Sequence, residues 1–152
     1  MKLSVRGEYA LRALIVLGET YEQGIVRIQL ISERQSIPKR FLEQILNDLR
    51  SGGFVESRRG AAGGYRLARA PEEITLAALI HYIQGALPLT PLTGTRRATR
   101  GQHDDAASAI QSVVKEVRDA MQEVMEKITL ADLCERARKL RDDASRGLDY
   151  II

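Results

Sequence analysis

Apolar residues recur along the chain mostly at intervals of three and four, the spacing that places them on one face of a helix. Within residues 4–19, Tyr9, Ala10, Ala13, Leu14 and Leu17 fall at that spacing. Gly24 interrupts, and residues 26–35 read as a short second helix with Ile28 and Ile31 turned inward. Ser36-Ile37-Pro38 forms a turn, with Pro38 at the position favoured in the first turn of a helix. The third helix is expected over residues 38–51, with Phe41, Leu42, Ile45, Leu46 and Leu49 as its apolar face and Gly52-Gly53 as its stop.

The periodicity then changes. Residues 54–57 and 65–68 are short extended runs, and between them lies the basic, glycine-rich segment Arg58-Arg59-Gly60-Ala61-Ala62-Gly63-Gly64. This predicts a β-hairpin with a tight tip, where Gly63 and Gly64 are expected to adopt positive φ. Helical spacing returns over residues 74–84, followed by a loop-like stretch that holds Arg96, Arg97 and Arg100. From about Asp105, a seam of heptad character runs through Ile110, Val113, Val114, Val117, Met121, Val124, Met125 and Ile128. A short helix over residues 130–140 and a polar tail complete the chain, the run 141–147 being too polar to form a packed element. The expected units are therefore residues 1–84, a loop at 85–104, a paired-helix region at 105–140 and a tail at 141–152.

Charge sharpens the picture. The chain of 152 residues carries a net charge of +3. Residues 1–70 hold 12 Lys and Arg against 7 Asp and Glu, whereas residues 71–152 hold 11 against 13. A basic front half suits a polyanion, because neutralising phosphates releases condensed counterions. No apolar run reaches the roughly 20 residues of a membrane span, and the expected location is cytoplasmic. The single cysteine, Cys134, excludes an internal disulfide and an all-cysteine metal site. The two histidines, His81 and His103, lack an accompanying acid, nucleophile or ligand pattern, which argues against an enzyme.

Helix, short helix, tight turn, helix and basic hairpin, in that order, is the arrangement of a winged helix-turn-helix. The fold class expected is mainly α with a small β-hairpin, followed by a long dimerisation helix. The second helix of such a pair lies in the major groove. Ser36, Pro38, Lys39, Arg40, Glu43 and Gln44 are the candidates there: Lys and Arg donate to guanine, Glu accepts from the cytosine amino group, and Gln pairs with adenine. Arg58 and Arg59 at the hairpin tip would reach a neighbouring narrow minor groove. Taken singly, Glu43 is also a plausible solvated face residue and the two arginines plausible tip charges; the order of elements favours double-stranded DNA as the partner. The seam at 110–128 suits a homodimer on a palindromic site, the rival being a helix packed on its own domain.

The strings LSVRGEYALRAL, PKRFLEQILNDLRSGGFVESRRGAAGGYRLAR and PEEITLAALI resemble the Rrf2 superfamily of bacterial transcription regulators over nearly the whole chain. That group includes regulators of the IscR, NsrR and CymR type. The resemblance implies that Arg40, Glu43 and Gln44 lie on a recognition helix, that Arg59 is the wing arginine of the minor groove, and that the helix after the loop pairs two chains. Iron–sulfur members carry three cysteines in the loop that corresponds to residues 85–107, and this chain has none there. Thiolates hold such clusters, and Glu8 or His103 alone would not replace them, so no cofactor is expected. Cys134 is expected to be a buried structural thiol. The alternative is an IscR or NsrR type of redox regulator whose loop cysteines have been replaced, Ala98 and Ala106 being the tempting positions. Without those cysteines, the resemblance leans to the cysteine-metabolism repressors, with control of sulfur genes as the implied role. It further implies that the apolar end, Tyr150, Ile151 and Ile152, docks into cysteine synthase, the alternative being that this end folds back on the dimer.

Overall fold

Ser4 starts the first helix, its hydroxyl accepting the Gly7 N–H at 3.0 Å. The computed structural model describes residues 2–85 and 104–149, and α1 (Val5–Glu19) runs through the middle of it. Ala10, Ala13, Leu14, Val16 and Leu17 are almost wholly buried, so α1 is covered on more than one side. α2 (Ile28–Gln35) and α3 (Lys39–Ser51) pack across it through Ile31, Leu42, Leu46 and Leu49. Truncating any of these side chains to alanine would remove about 2–5 kcal/mol. Phe41 does not join that face. It is 55% exposed, because the buried stripe of α3 is centred on Leu42, Ile45, Leu46 and Leu49, and Phe41 lies at its edge.

The hairpin is β1 (Val55–Arg58) paired antiparallel with β2 (Gly64–Leu67), in the register Val55 to Leu67 and Arg58 to Gly64. Val26 adds one antiparallel bridge: it exchanges two backbone hydrogen bonds of 2.8 Å with Tyr65. Residue 26 is therefore extended, and α2 begins at Ile28 rather than at Val26. Phe54, Val55 and Leu67 close the core beneath the hairpin.

α4 (Leu76–Gln84) is capped by the Thr75 hydroxyl, which accepts the Ala78 N–H at 3.1 Å. Gln84 turns back to accept the Ser4 N–H at 2.8 Å, so the start of α1 and the end of α4 are held together. The loop reading at 85–104 falls, apart from Gly85 and Asp104, outside the described residues, as do Arg96, Arg97, Arg100 and His103.

α5 (Asp105–Lys127) divides along its length. Near its end, Met125 is buried against Ala77 and Ile80 of α4, with Leu3, Leu11 and Leu76 around them. Ile128 ends the helix, and its carbonyl accepts the Leu76 N–H at 2.8 Å. Met125 and Ile128 thus attach α5 to its own domain and are not part of a free stripe. Upstream, Ile110, Val113, Val117 and Val124 are 47–59% exposed, while Val114 and Met121 are half-buried.

Thr129 and Asp132 open α6 (Leu130–Asp149) as a reciprocal cap: the Asp132 carboxylate accepts the Thr129 N–H at 2.8 Å, and the Thr129 hydroxyl accepts the Asp132 N–H at 3.2 Å. The Thr129 N–H, and after it the Thr129 hydroxyl donating to the same carboxylate at 3.0 Å, hold the Asp132 carboxyl below its usual range. The helix folds back along α1 with Leu130 and Cys134 buried. α6 does not stop at Leu140. It continues through the polar run, since that run contains no proline and its side chains make i,i+4 contacts such as Ser145 to the Arg141 carbonyl at 3.0 Å. Arg141 anchors this extension by bonding Glu19 of α1. The tail is correspondingly shorter than expected, and Tyr150, Ile151 and Ile152 lie outside the described residues.

Candidate nucleic-acid interface

The turn between α2 and α3 sets the direction of α3. Ser36 sits in the left-handed region (φ 52°, ψ 41°), where few residues other than glycine and asparagine rest easily. Two bonds hold it there: the Ser32 hydroxyl donates to the Ile37 carbonyl at 2.7 Å, and the Ile37 N–H donates to the Ser32 carbonyl at 3.2 Å. Ile37 is 1% exposed and pins the turn to the core. Pro38 stands at the N-cap of α3, not inside it, with φ −56°.

From this start, the helix buries one face and presents the other. Lys39, Arg40, Glu43, Gln44 and Asn47 are all exposed. The first turn carries no acidic residue, so its free N–H groups and positive dipole end face solvent uncompensated.

The wing stands beside α3. Arg66 grips Glu56 across the strands through two bonds of 2.8 and 2.9 Å, and Arg50 of α3 donates to the Ser57 hydroxyl at 2.9 Å. Arg27, just ahead of α2, donates to the Ala61 carbonyl at the tip at 3.1 Å. Gly60 supplies the positive φ that the tip needs, 107°, and its carbonyl accepts the Gly63 N–H at 2.9 Å. Gly63 has no positive φ. A Cβ there would strike the Arg58 carbonyl, and one at Gly64 would strike the Val26 carbonyl, so both glycines are required for space.

Lys39, Asn47 and Arg50 of α3 share one open groove with Arg58 and Arg59 of the wing and with Arg27. Arg40, Glu43 and Gln44 lie on the exposed side of α3 outside that groove, and Ser36 and Pro38 are exposed at the turn. Among the described residues, Lys39, Arg40, Arg58 and Arg59 engage no carboxylate. Arg27, Asn47 and Arg50 are additions that periodicity did not single out. Asn47 lies one turn beyond Glu43 and Gln44, and that spacing was the available signal.

Comparison with known proteins decides the family. Residues 3–136 match the Rrf2 family, described as iron-dependent transcriptional regulators. The chain belongs to the Rrf2 family of transcription regulators. It is 32% identical to the HTH-type transcriptional regulator CymR of Bacillus subtilis over 88% of this chain and 89% of that one. The solved structure of B. subtilis CymR, called the global cysteine regulator, superposes with a TM-score of 0.71 at 29% identity, covering 90% of this chain and 98% of that one. T. potens IscR superposes equally well, TM-score 0.71 at 34% identity, over 90% and 88% of the two chains. As an Rrf2 protein the chain is a regulator and not an enzyme, and its fold is the winged helix of those structures. No helix among the described residues is long and apolar enough to cross a membrane.

The iron dependence in the family's description can be tested on the donors this Rrf2 chain possesses. Cys134 is its one cysteine, 4% exposed, with Sγ 3.5 Å from the Ile15 carbonyl and packed against Gly18. Burial first, and the nearby Glu19 carboxylate second, push the thiol up to about 11. This sulfur is enclosed between α1 and α6, and one cysteine does not supply the thiolate set of a cluster. Among the described residues, no three His, Cys, Asp or Glu side chains gather into a metal-binding group. The donor set does not fit an iron–sulfur centre.

A consequence can be measured. An exposed cysteine ionises near 9.0, while this one does so near 11. Native protein at about pH 8 should therefore react with an alkylating reagent far more slowly than the same chain in denaturant. Stability should be unaffected by this group below pH 9 and should fall between about 9 and 11, where the unfolded chain alone releases the proton. Prompt, stoichiometric labelling of the native protein would overturn the assignment of Cys134 to the core.

Proposed function

We propose that the protein is a homodimeric repressor whose α3 enters the major groove of a palindromic operator while its wing enters the adjacent minor groove. The observation that carries this reading is the set of exposed, carboxylate-free cations that line one groove, Lys39 at the start of α3 and Arg58 and Arg59 on the wing, with Arg40 exposed beside it on α3. Arg66, on the same hairpin, is by contrast tied to Glu56, as Arg6 is to Asp48 and Arg12 to Glu8. In this reading Lys39 and Arg40 donate to guanine or phosphate, Glu43 accepts from cytosine, and Gln44 pairs with adenine. Ser36 and Pro38 set the approach of the helix, and Arg58 and Arg59 occupy the narrow groove.

The exposed stripe of α5 supports the dimer. Ile110, Val113, Val117 and Val124 keep roughly half or more of their surface uncovered, and such a stripe on a monomer is an aggregation liability. Two such helices side by side would cover it and set two recognition helices about 34–36 Å apart, one turn of DNA. Control of sulfur and cysteine metabolism is supported by the likeness to CymR and by the cysteine-free loop. Docking of cysteine synthase on Tyr150, Ile151 and Ile152 belongs to the same reading, through capture of the terminal carboxylate and an apolar side chain.

Arg59→Ala should weaken operator binding by about 1–3 kcal/mol at fixed salt, measured by fluorescence anisotropy; unchanged affinity would remove Arg59 from the interface. Val117→Glu should give a monomer or an aggregate by light scattering, and a variant that stays dimeric and still binds a palindromic site would show the stripe to be misassigned. Deleting Ile151 and Ile152 should abolish complex formation with the host's cysteine synthase while fold and dimer persist. Equal affinity of the two forms, or binding by neither, would end that part of the proposal.

A further inference from the structure

We propose that the groove between α1, α2 and α6 is a binding site for a small multivalent anion, carboxylate or phosphate. The groove encloses about 530 Å³, within the range of roughly 300–1,000 Å³ that suits small-molecule sites. Three guanidinium groups line it from three separate helices: Arg12 of α1, Arg34 of α2 and Arg141 of α6. Ile15, Val16 and Ala137 provide apolar wall between them.

The charges do not balance within the groove. Glu19 is the one carboxylate among its lining residues; its side chain is only 13% exposed, and Arg141 holds it through both terminal nitrogens. Arg12 reaches outward to Glu8 at 2.6 Å, a half-exposed pair of the kind that contributes roughly 0–1 kcal/mol and yields readily to a better partner. Arg34 engages no carboxylate among the described residues. A structural staple between α1 and α6 would need only the Glu19–Arg141 pair. Arg12 and Arg34 go beyond it, and planar, fork-shaped donors suit carboxylate and phosphate oxygens.

The groove shares no residue with the surface formed by α3 and the wing. It is nevertheless coupled to that surface mechanically. Arg34 and the left-handed Ser36 are two residues apart, and Ser36 launches the recognition helix. An anion bridging Arg34 to Arg12 and Arg141 would fasten α2 to α1 and α6, and so bias the aim of α3.

The test is calorimetric titration of the full-length protein with citrate and, separately, with inorganic pyrophosphate, which distinguishes the two acid classes. At least one should bind saturably, and Arg34→Gln or Arg12→Gln should weaken it by tenfold or more. Arg59→Ala, on the opposite function, should bind the same anion as the unsubstituted protein does. Thermal melts of the exposed Arg34→Gln variant should show that it still folds. The proposal fails if neither probe binds saturably up to about 10 mM. It fails equally if binding survives Arg34→Gln and Arg12→Gln, or is lost in Arg59→Ala, since the anion would then sit on the DNA-facing surface.

Discussion

The packing of α1 supports most of the other elements directly. Its Ala10, Ala13, Leu14, Val16 and Leu17 are at most 1% exposed, and α3, α4, α6 and β2 all rest against the helix. Small residues make this possible. At Gly18 a Cβ would run into the Cys134 sulfur, so glycine there lets α6 lie close, and the alanines do the same for its neighbours. Dense interiors tolerate little change in volume, so the spacing of α6, α1 and α3 is fixed by these few side chains. α3 can hold its orientation with one face exposed because Leu42, Leu46 and Leu49 anchor its other face to this strut.

Around that apolar frame, polar contacts set angles more than they add stability. The Tyr82 hydroxyl donates to the Asp48 carbonyl at 2.7 Å, and the Asp48 carboxylate meets Arg6, so the far end of α3 is tied to α4 and to the start of α1. Tyr82 also packs against Phe54, ring centroids 5.3 Å apart, with its ring where a Cβ on Gly52 would be. Half-exposed ion pairs contribute at most about 1 kcal/mol each. Their value is geometric: they settle where α3 points relative to α4, and α4 leads toward the segment before α5.

The family's chemistry and this chain's chemistry diverge at sulfur. Where iron–sulfur relatives are expected to use thiolates outside the core, this protein spends its one cysteine inside it, as a small apolar group between α1 and α6. A thiol raised to about 11 is protonated and unreactive at neutral pH.

The sequence by itself determined the element order, the buried stripe of α2 and α3, the basic wing and the apolar run of α5, because each is written in local spacing, turn residues and charge. It also determined that the chain cannot supply a set of cysteine ligands, since one cysteine is a count and not a conformation. Tertiary structure decided what spacing leaves open. Phe41 has the composition of a core residue and is solvent-facing, since which edge of an apolar stripe is covered depends on the neighbouring helix. Met125 and Ile128 continue the heptad pattern yet bind their own α4, because a helix that must both leave the domain and be fastened to it turns its last apolar positions inward. Residues 141–149 look like a loose tail and are helical, since α6 is nucleated by its cap and its contact with α1, and extension costs little thereafter. The meeting of Arg12, Arg34 and Arg141 lies beyond any local pattern: those residues are 22 and 107 positions apart in sequence, and only the return of α6 along α1 brings them to one groove.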